Sequence, residues 1–129
     1  MKLLLDTHTF IWFITDSPKL TPMSKQLIED ENNQRLISMA SIWEMAIKHS
    51  IGKLRFQPSF DEFIEEQIFV NKLTIIHVNL NHIKTVASLP LYHRDPFDRL
   101  IIAQSIVEKV PIISADKIFD SYSIIRLWS

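Results

Sequence analysis

Short apolar runs alternate with longer segments of helical spacing along this chain of 129 residues. The runs typical of buried strands occupy residues 2–5, 36–40, 73–78, 110–114 and 124–128. Helical patterns occupy residues 10–14, 22–31, 41–50, 60–68, 79–86 and 96–109, with Asn79 or Asn81 as the start of the fifth. Strands separated by helices predict an α/β fold with a central parallel sheet and helices on both faces.

The length and composition predict one globular domain spanning residues 1–129, without a separate second domain. The single glycine excludes the glycine-rich loops that bind nucleotide phosphates, since each of those loops needs several glycines. The absence of cysteine excludes disulfides, thiolate zinc sites, iron–sulfur clusters and a cysteine nucleophile.

The net charge of −1 provides no overall positive field for binding nucleic acid. If the protein acts on a polyanion, local basic groups or bound cations must supply the attraction. Asp6 interrupts the first apolar run, which argues against a signal peptide, and no run approaches the roughly 18 apolar residues of a membrane span. We therefore expect a cytoplasmic protein with no membrane partner.

Five carboxylates fall where predicted strands end or the following helices begin. They are Asp6, Glu44, Asp95, Asp98 and Asp116. In parallel α/β sheets, ligands bind beyond the carboxyl ends of the strands, so these side chains are expected to share one edge of the sheet. Carboxylates that converge in a partly dry cleft repel one another, and a divalent cation relieves that repulsion. Oxygen ligands suit Mg²⁺ or Mn²⁺, which predicts metal-assisted hydrolysis of a phosphodiester.

Each of these acids also has an ordinary structural interpretation. Ser41 and Glu44 have the spacing of a capping box, and Asp95 to Asp98 has the pattern of a helix start. Asp6 and Asp116 are also typical of turns at strand ends. The joint placement of the five residues favours the functional interpretation, and helix capping is compatible with metal binding because a helix N-terminus stabilises anions.

Several neighbouring polar residues are candidates for supporting roles. Lys48, Arg94 and Arg99 are candidate phosphate-binding residues, with a solvated surface as the alternative. Ser114 is placed to orient Asp116, and Thr7 to cap the first helix or contact a ligand. The aromatic residues of the first helix, such as Trp12, are expected to lie in the core or at an interface and not to stack on bases.

The chain resembles a PIN domain of the VapC type, the toxin ribonucleases of bacterial and archaeal toxin–antitoxin pairs. The matching segments are residues 4–9 (LLDTHT), 41–48 (SIWEMAIK), 93–104 (HRDPFDRLIIAQ) and 112–116 (IISAD). The resemblance implies a PIN-like α/β/α sandwich and a Mg²⁺- or Mn²⁺-dependent endoribonuclease of type II toxin–antitoxin systems. It also implies a cognate antitoxin that blocks the active site, and a homodimer to which the first helix contributes apolar area.

By position, Asp6, Glu44 and Asp98 match the acidic triad of that family, and Asp116 matches its fourth acid. Asp95 is expected to support the site, and Ser114 matches a hydroxyl position near the metal.

Two other functions are open at this stage. A phospho-receiver domain is also an α/β fold with aspartates at strand ends, but it needs an acidic pair after the first strand, where Asp6 stands alone. It also needs an acceptor aspartate after the third strand, where residues 78–80 contain no acid. A non-catalytic module that binds RNA or protein is the other alternative, and it predicts no metal binding.

Overall fold

The computed structural model describes all 129 residues as a five-stranded sheet flanked by helices. The strands are β1 (Lys2–Leu5), β2 (Gln34–Ser38), β3 (Thr74–Ile76), β4 (Ile112–Ile113) and β5 (Arg126–Leu127). The helices are α1 (Thr7–Ile14), α2 (Pro22–Glu29), α3 (Met39–Ser50), α4 (Phe60–Val70), α5 (Leu80–Ser88) and α6 (Pro96–Glu108), with a 3₁₀ helix at Lys117–Ser121. None of the helices has the length and apolar character that crossing a bilayer requires.

All strands are parallel, in the order β3-β2-β1-β4-β5, which confirms the predicted α/β fold. The chain builds the sheet outward from β1 to β3 on one side and then adds β4 and β5 on the other. The reversal of strand order lies between β1 and β4. In open parallel sheets this is the point at which a crevice forms beyond the strand ends.

The apolar residues of the strands alternate between two separate cores. Leu3 and Leu5 of β1 pack into one core with residues of α1, α2, α3 and α4. Leu4 packs into the other core with α6 and the 3₁₀ helix. Both faces of the sheet are therefore covered, as the continuous apolar runs in the sequence predicted.

Several boundaries differ from those predicted from the sequence. The helix α1 begins at Thr7 and is capped by Asp6, so Thr7 is not its cap. The strand β2 ends at Ser38, and Ser38 caps α3. The predicted capping box of Ser41 and Glu44 is therefore wrong, and Glu44 lies in the second turn of α3. The starts at Asn79 and Asp95 are confirmed as N-caps, and Ser59 caps α4.

The loop between α5 and α6 is held by hydrogen bonds from outside it. The Arg99 guanidinium donates to the carbonyl oxygens of Val86, Leu89, Pro90 and His93 at 3.1–3.3 Å. The Tyr122 hydroxyl accepts from the His93 N–H at 2.8 Å and donates to the Pro90 carbonyl at 2.7 Å. The candidate phosphate-binding role of Arg99 is thus replaced by a structural one, because its guanidinium is engaged with the main chain.

Replacing Tyr122 with Phe should lower the free energy of unfolding by about 1–2 kcal/mol, because the buried His93 N–H loses its acceptor. Urea denaturation measures the change. The matched control is Tyr92→Phe, since Tyr92 is exposed and its ring packs edge-on against Tyr122. Equal stability of the two variants would contradict the bracing role of Tyr122.

Candidate active site

The five predicted carboxylates come from four parts of the chain and meet at the carboxyl ends of the strands. Asp6 follows β1, Asp116 follows β4, Glu44 lies on α3, and Asp95 and Asp98 open α6. The charges of the other four all act on Asp98, which lies among them. The acids lie at one edge of the sheet, as predicted, and the structure adds that this edge includes the reversal of strand order between β1 and β4.

Asp98 is the residue on which the repulsion within this acidic cluster acts most visibly. Burial, and after it the charges of Asp95, Asp6, Glu44 and Asp116, together raise its pKa to about 8. Each effect disfavours the ionised carboxylate in the absence of a cation. Bringing a cation into the cluster would stabilise all five ionised carboxylates at once.

Asp6 is buried at the end of β1 and caps α1. Its Oδ1 atom accepts from the Thr9 N–H at 2.8 Å, and its carboxylate also bonds the Ser114 hydroxyl. Burial raises its pKa, while the hydrogen bonds from Ser114 and Thr9 act in the opposite direction. The Thr9 hydroxyl donates to the Ile113 carbonyl at 2.9 Å and so ties α1 to β4. Asp6 is therefore both a helix cap and a member of the cluster.

Glu44 supplies a carboxylate oxygen without a partner. Its Oε2 atom pairs with Lys48 Nζ at 3.0 Å, one turn along α3. Its Oε1 atom is buried and has no hydrogen-bond donor. A buried anionic oxygen with no donor is costly, and a cation in the cluster would remove that cost. This orphaned oxygen, together with an all-carboxylate set, fits the oxygen-ligand preference of Mg²⁺ or Mn²⁺.

Asp95 and Asp116 also combine capping with membership of the cluster. The Oδ1 atom of Asp95 accepts from the Phe97 and Asp98 N–H groups at 2.8 and 3.1 Å. Asp116 Oδ1 accepts from the Ile118 N–H at 3.0 Å, which leaves Oδ2 directed at the site. The structural and functional interpretations of these acids are thus compatible, since each uses one oxygen for the main chain.

His93 is the site residue that sequence reasoning missed as a partner of the acids. Its Nε2 atom lies 2.8 Å from Asp116 Oδ2 and 3.2 Å from Asp98 Oδ2. The ligand atoms of His93, Asp98 and Asp116 all lie within 4.8 Å of one another. The sequence places a histidine two residues before Asp95 but contains no signal that its ring turns inward.

The other residues predicted to support the site each make different contacts. The Ser114 hydroxyl accepts from the Asp116 N–H at 3.0 Å and bonds Asp6, which joins the acids after β1 and β4. The buried Thr7 hydroxyl donates to the Ser41 hydroxyl at 2.9 Å and so connects α1 with α3. Lys48 is engaged with Glu44, whereas Arg94 is exposed.

A cavity of about 270 Å³ opens beside the acids and is lined by Asp6, His8, Trp12, Ala115 and Asp116. The Trp12 ring is fixed by its neighbours, with the His8 ring centroid at 5.9 Å and the Trp128 centroid at 6.0 Å. Trp12 packs on the core, as expected, but its place on the cavity wall was not foreseen.

A larger cavity of about 350 Å³ lies at the opposite, amino-terminal ends of β4 and β5. Its wall includes Lys109, Pro111 and Ile124 but no carboxylate or histidine. We assign the chemistry to the smaller cavity, because its wall contains Asp6, whose pKa is raised by burial, and Asp116.

The structure thus defines an α/β protein with an acidic site at the ends of parallel strands. The PIN domain model matches residues 3–125, and the chain belongs to the PIN domain family. Proteins of this family are nucleases. A comparison with curated proteins gives no significant match.

The fold is similar to those of three solved structures. A chain in the crystal structure of VapBC2 from Rickettsia felis, bound to a DNA fragment from their promoter, matches with 19% identity, a TM-score of 0.73 and 98% coverage of both chains. VapBC-1 from nontypeable Haemophilus influenzae matches with 15% identity and a TM-score of 0.68, over 98% of this chain and 97% of that one. FitAcB from Neisseria gonorrhoeae matches with 14% identity and a TM-score of 0.67, over 98% and 96%. At these identities the likeness establishes the fold.

The raised pKa of Asp98 predicts a pH-dependent stability of the metal-free protein. Between the unfolded pKa near 3.8 and the folded pKa of about 8, the folded state binds the proton more tightly, so stability falls as pH rises through this range. We expect a loss on the order of a few kcal/mol between pH 5 and pH 8, measured by urea denaturation in EDTA. The Asp98→Asn variant should lose most of this pH dependence. The control Asp61→Asn, at the exposed start of α4, should keep it. A wild-type protein whose free energy of unfolding rises from pH 5 to pH 8 would contradict the repulsion among the carboxylates.

Proposed function

We propose that the protein is a metal-dependent endoribonuclease that acts as the toxin of a toxin–antitoxin pair. Residues 1–129 then form a single PIN-like domain, since the family match and the sheet include strands from near both ends of the chain. The observation that carries the proposal is the convergence of buried carboxylates on Asp98, beside the orphaned Glu44 oxygen. Such a cluster can hold a divalent cation, and the cation would neutralise charge on the phosphate of a nucleic acid.

The proposed metal ligands are Asp6, Glu44, Asp98 and Asp116, with Asp95 in a supporting role. A bound Mg²⁺ or Mn²⁺ supplies a Lewis acid that acidifies a water molecule and stabilises charge on the phosphate. Lys48 holds the Glu44 carboxylate through Oε2 and leaves the buried Oε1 atom without a hydrogen-bond donor. The Ser114 hydroxyl fixes Asp6 relative to the loop that contains Asp116.

A nucleotide of single-stranded RNA is the proposed occupant of the cavity beside Asp6 and Asp116. The wall contains Trp12, whose indole is held in place by His8 and Trp128, and a fixed aromatic ring suits stacking on an unpaired base. This reverses the expectation from the sequence that Trp12 does not stack on bases, because its ring lines the cavity as well as packing on the core. Exposed Arg94, next to His93, is the remaining candidate for a phosphate contact. The chain as a whole is slightly acidic, so these local groups and the cation have to provide the attraction.

A protein partner is supported by an apolar stripe on α3 and by the similar structures. Trp43, Ile47 and Ile51 recur every four residues, and Trp43 and Ile51 are 58% and 59% exposed. The similar VapBC2, VapBC-1 and FitAcB structures are complexes of a toxin with its antitoxin, which supports an antitoxin as the partner of this chain. The homodimer stays a prediction, with α3 as a better candidate face than α1, whose apolar residues pack on the core.

The two alternative functions have less support. Asp6 is the only acid directly after β1, and residues 77–79 after β3 contain no acceptor aspartate, so the phospho-receiver hypothesis lacks its phosphorylation site. The non-catalytic module predicts no metal binding, which conflicts with a cluster whose charges repel one another. A cytoplasmic location stays a prediction.

Replacing Asp6 or Asp98 with Asn should lower RNA cleavage at least about a hundredfold, because each variant loses an anionic oxygen of the proposed metal site. Asparagine is also a good N-cap, so Asp6→Asn keeps the start of α1. Cleavage of a structured RNA panel, with EDTA and with added Mn²⁺, measures the effect. The control Asp61→Asn should cut like the wild type. Full activity in either site variant, or in EDTA, would contradict the mechanism.

Trp12→Ala should raise KM for RNA by about tenfold, the scale of losing one base stack, with a smaller change in kcat. Trp12→Phe should restore most of the affinity, and circular dichroism checks the fold because Trp12 packs against the core. The control is Phe69→Ala, an exposed aromatic on α4. A KM in Trp12→Ala equal to that of the control would contradict stacking on Trp12.

A further inference from the structure

The α5–α6 loop is built around His93. The main-chain N–H of His93 donates to the Tyr122 hydroxyl at 2.8 Å, and its carbonyl accepts from Arg99 at 3.2 Å. The ring is buried and packs edge-on against Phe119 at a centroid distance of 5.6 Å. Both the backbone and the ring of this residue are therefore fixed. A side chain held this firmly presents its nitrogen atoms to defined partners.

The two ring nitrogens of His93 face different kinds of group. The Nδ1 atom lies 3.1 Å from the main-chain N–H of Asp95, which is a donor only. The Nε2 atom faces the Oδ2 atoms of Asp116 and Asp98 at 2.8 and 3.2 Å. Because Nδ1 accepts a hydrogen bond, the ring hydrogen has to be on Nε2. The Nε2–H group then donates to the two carboxylates.

We propose that His93 is a positioning residue of the nuclease site and not a metal ligand. Its Nε2–H holds the Oδ2 atoms of Asp98 and Asp116 at a fixed separation. The other oxygen of Asp98 is then available to the cation, and Asp116 Oδ1, which accepts from the Ile118 N–H, keeps a second lone pair for it. This inference rests on the proposed function for its setting. It assigns His93 a role distinct from that of the four carboxylates.

The alternative is that His93 is itself a metal ligand, since the ligand atoms of His93, Asp98 and Asp116 lie close enough together to hold an ion. Imidazole with carboxylate ligands suits zinc, nickel or iron. Ligation through Nε2 requires its lone pair and moves the hydrogen to Nδ1, where it would point at the Asp95 N–H. That N–H would lose its acceptor. The proposal therefore predicts an all-oxygen site that prefers Mg²⁺ or Mn²⁺.

Two substitutions separate the functions of the two ring nitrogens. In His93→Gln, the side-chain amide can replace the Nε2–H donor to the carboxylates. In His93→Asn, the shorter amide can replace the Nδ1 acceptor for the Asp95 N–H but does not reach the carboxylates. Mn²⁺ affinity, measured by calorimetry, should stay within about threefold of wild type in His93→Gln. It should fall about 10–100-fold in His93→Asn, which is the range for groups that orient metal ligands.

Thermal unfolding of both variants controls for loss of the loop. The reverse order, with His93→Asn binding Mn²⁺ better than His93→Gln, would overturn the proposal because it would make the main-chain contact the important one. Equal weakening of Mn²⁺ binding in both variants would also overturn it, since donation from the amide would then not suffice.

Two spectroscopic measurements test the proposal without RNA cleavage. Nitrogen-15 NMR of the metal-free protein, assigned by comparison with His93→Gln, should show an unprotonated Nδ1 and a protonated Nε2, unchanged when Mg²⁺ is added. Pulsed EPR of the Mn²⁺ complex, with nitrogen-15-labelled histidine, should show no directly coordinated nitrogen.

A coordinated nitrogen that disappears in His93→Gln, or a protonated Nδ1 in the metal-free protein, would overturn the proposal. If Mn²⁺ binds without nitrogen coordination but no RNA is cut, the proposed function fails and the role of His93 stands. If Mn²⁺ does not bind, the NMR tautomer alone decides the assignment.

Discussion

Repulsion among carboxylates at the ends of the parallel strands is the constraint on which the rest of the site depends. Asp98 is largely buried among four other acids, and its pKa of about 8 records the cost of ionising it there. The fold offsets part of this cost through helix N-termini, because Asp6, Asp95 and Asp116 each direct one oxygen at main-chain N–H groups. The remaining charge is what a divalent cation would neutralise, and for this reason metal binding and stability should be coupled in this protein.

The structure maintains this unfavourable arrangement by bracing the segments that contain the acids. Thr9 ties α1 to the carbonyl of Ile113, and Ser114 connects the acids after β1 and β4. Arg99 and Tyr122 hold the α5–α6 loop through its main chain. These contacts join elements that are distant in sequence, so the carboxylates cannot easily move apart to relieve their repulsion. The repulsion therefore lowers the stability of the folded state as a whole.

The sequence predicted the parallel sheet and the acidic edge because both follow from local patterns. Apolar runs mark the strands, and residues that directly follow parallel strands must share an edge. The exact start of α3 could not be predicted, since Ser38 and Ser41 are both plausible caps and only the sheet decides where β2 ends. The roles of His93 and Arg99 were also out of reach, because they depend on which way a side chain turns within a loop that Tyr122, about 30 residues away, helps to hold.

The central claim is that a cation replaces a proton in the acidic cluster, and calorimetry of Mn²⁺ binding in buffers of different ionisation enthalpy tests it most directly. With a pKa of about 8, Asp98 is mostly protonated at pH 7, so binding should release close to one proton per protein. The apparent heat should then vary linearly with the ionisation enthalpy of the buffer, and this dependence should vanish in Asp98→Asn. A binding heat that is the same in every buffer, or no binding at all, would contradict the account.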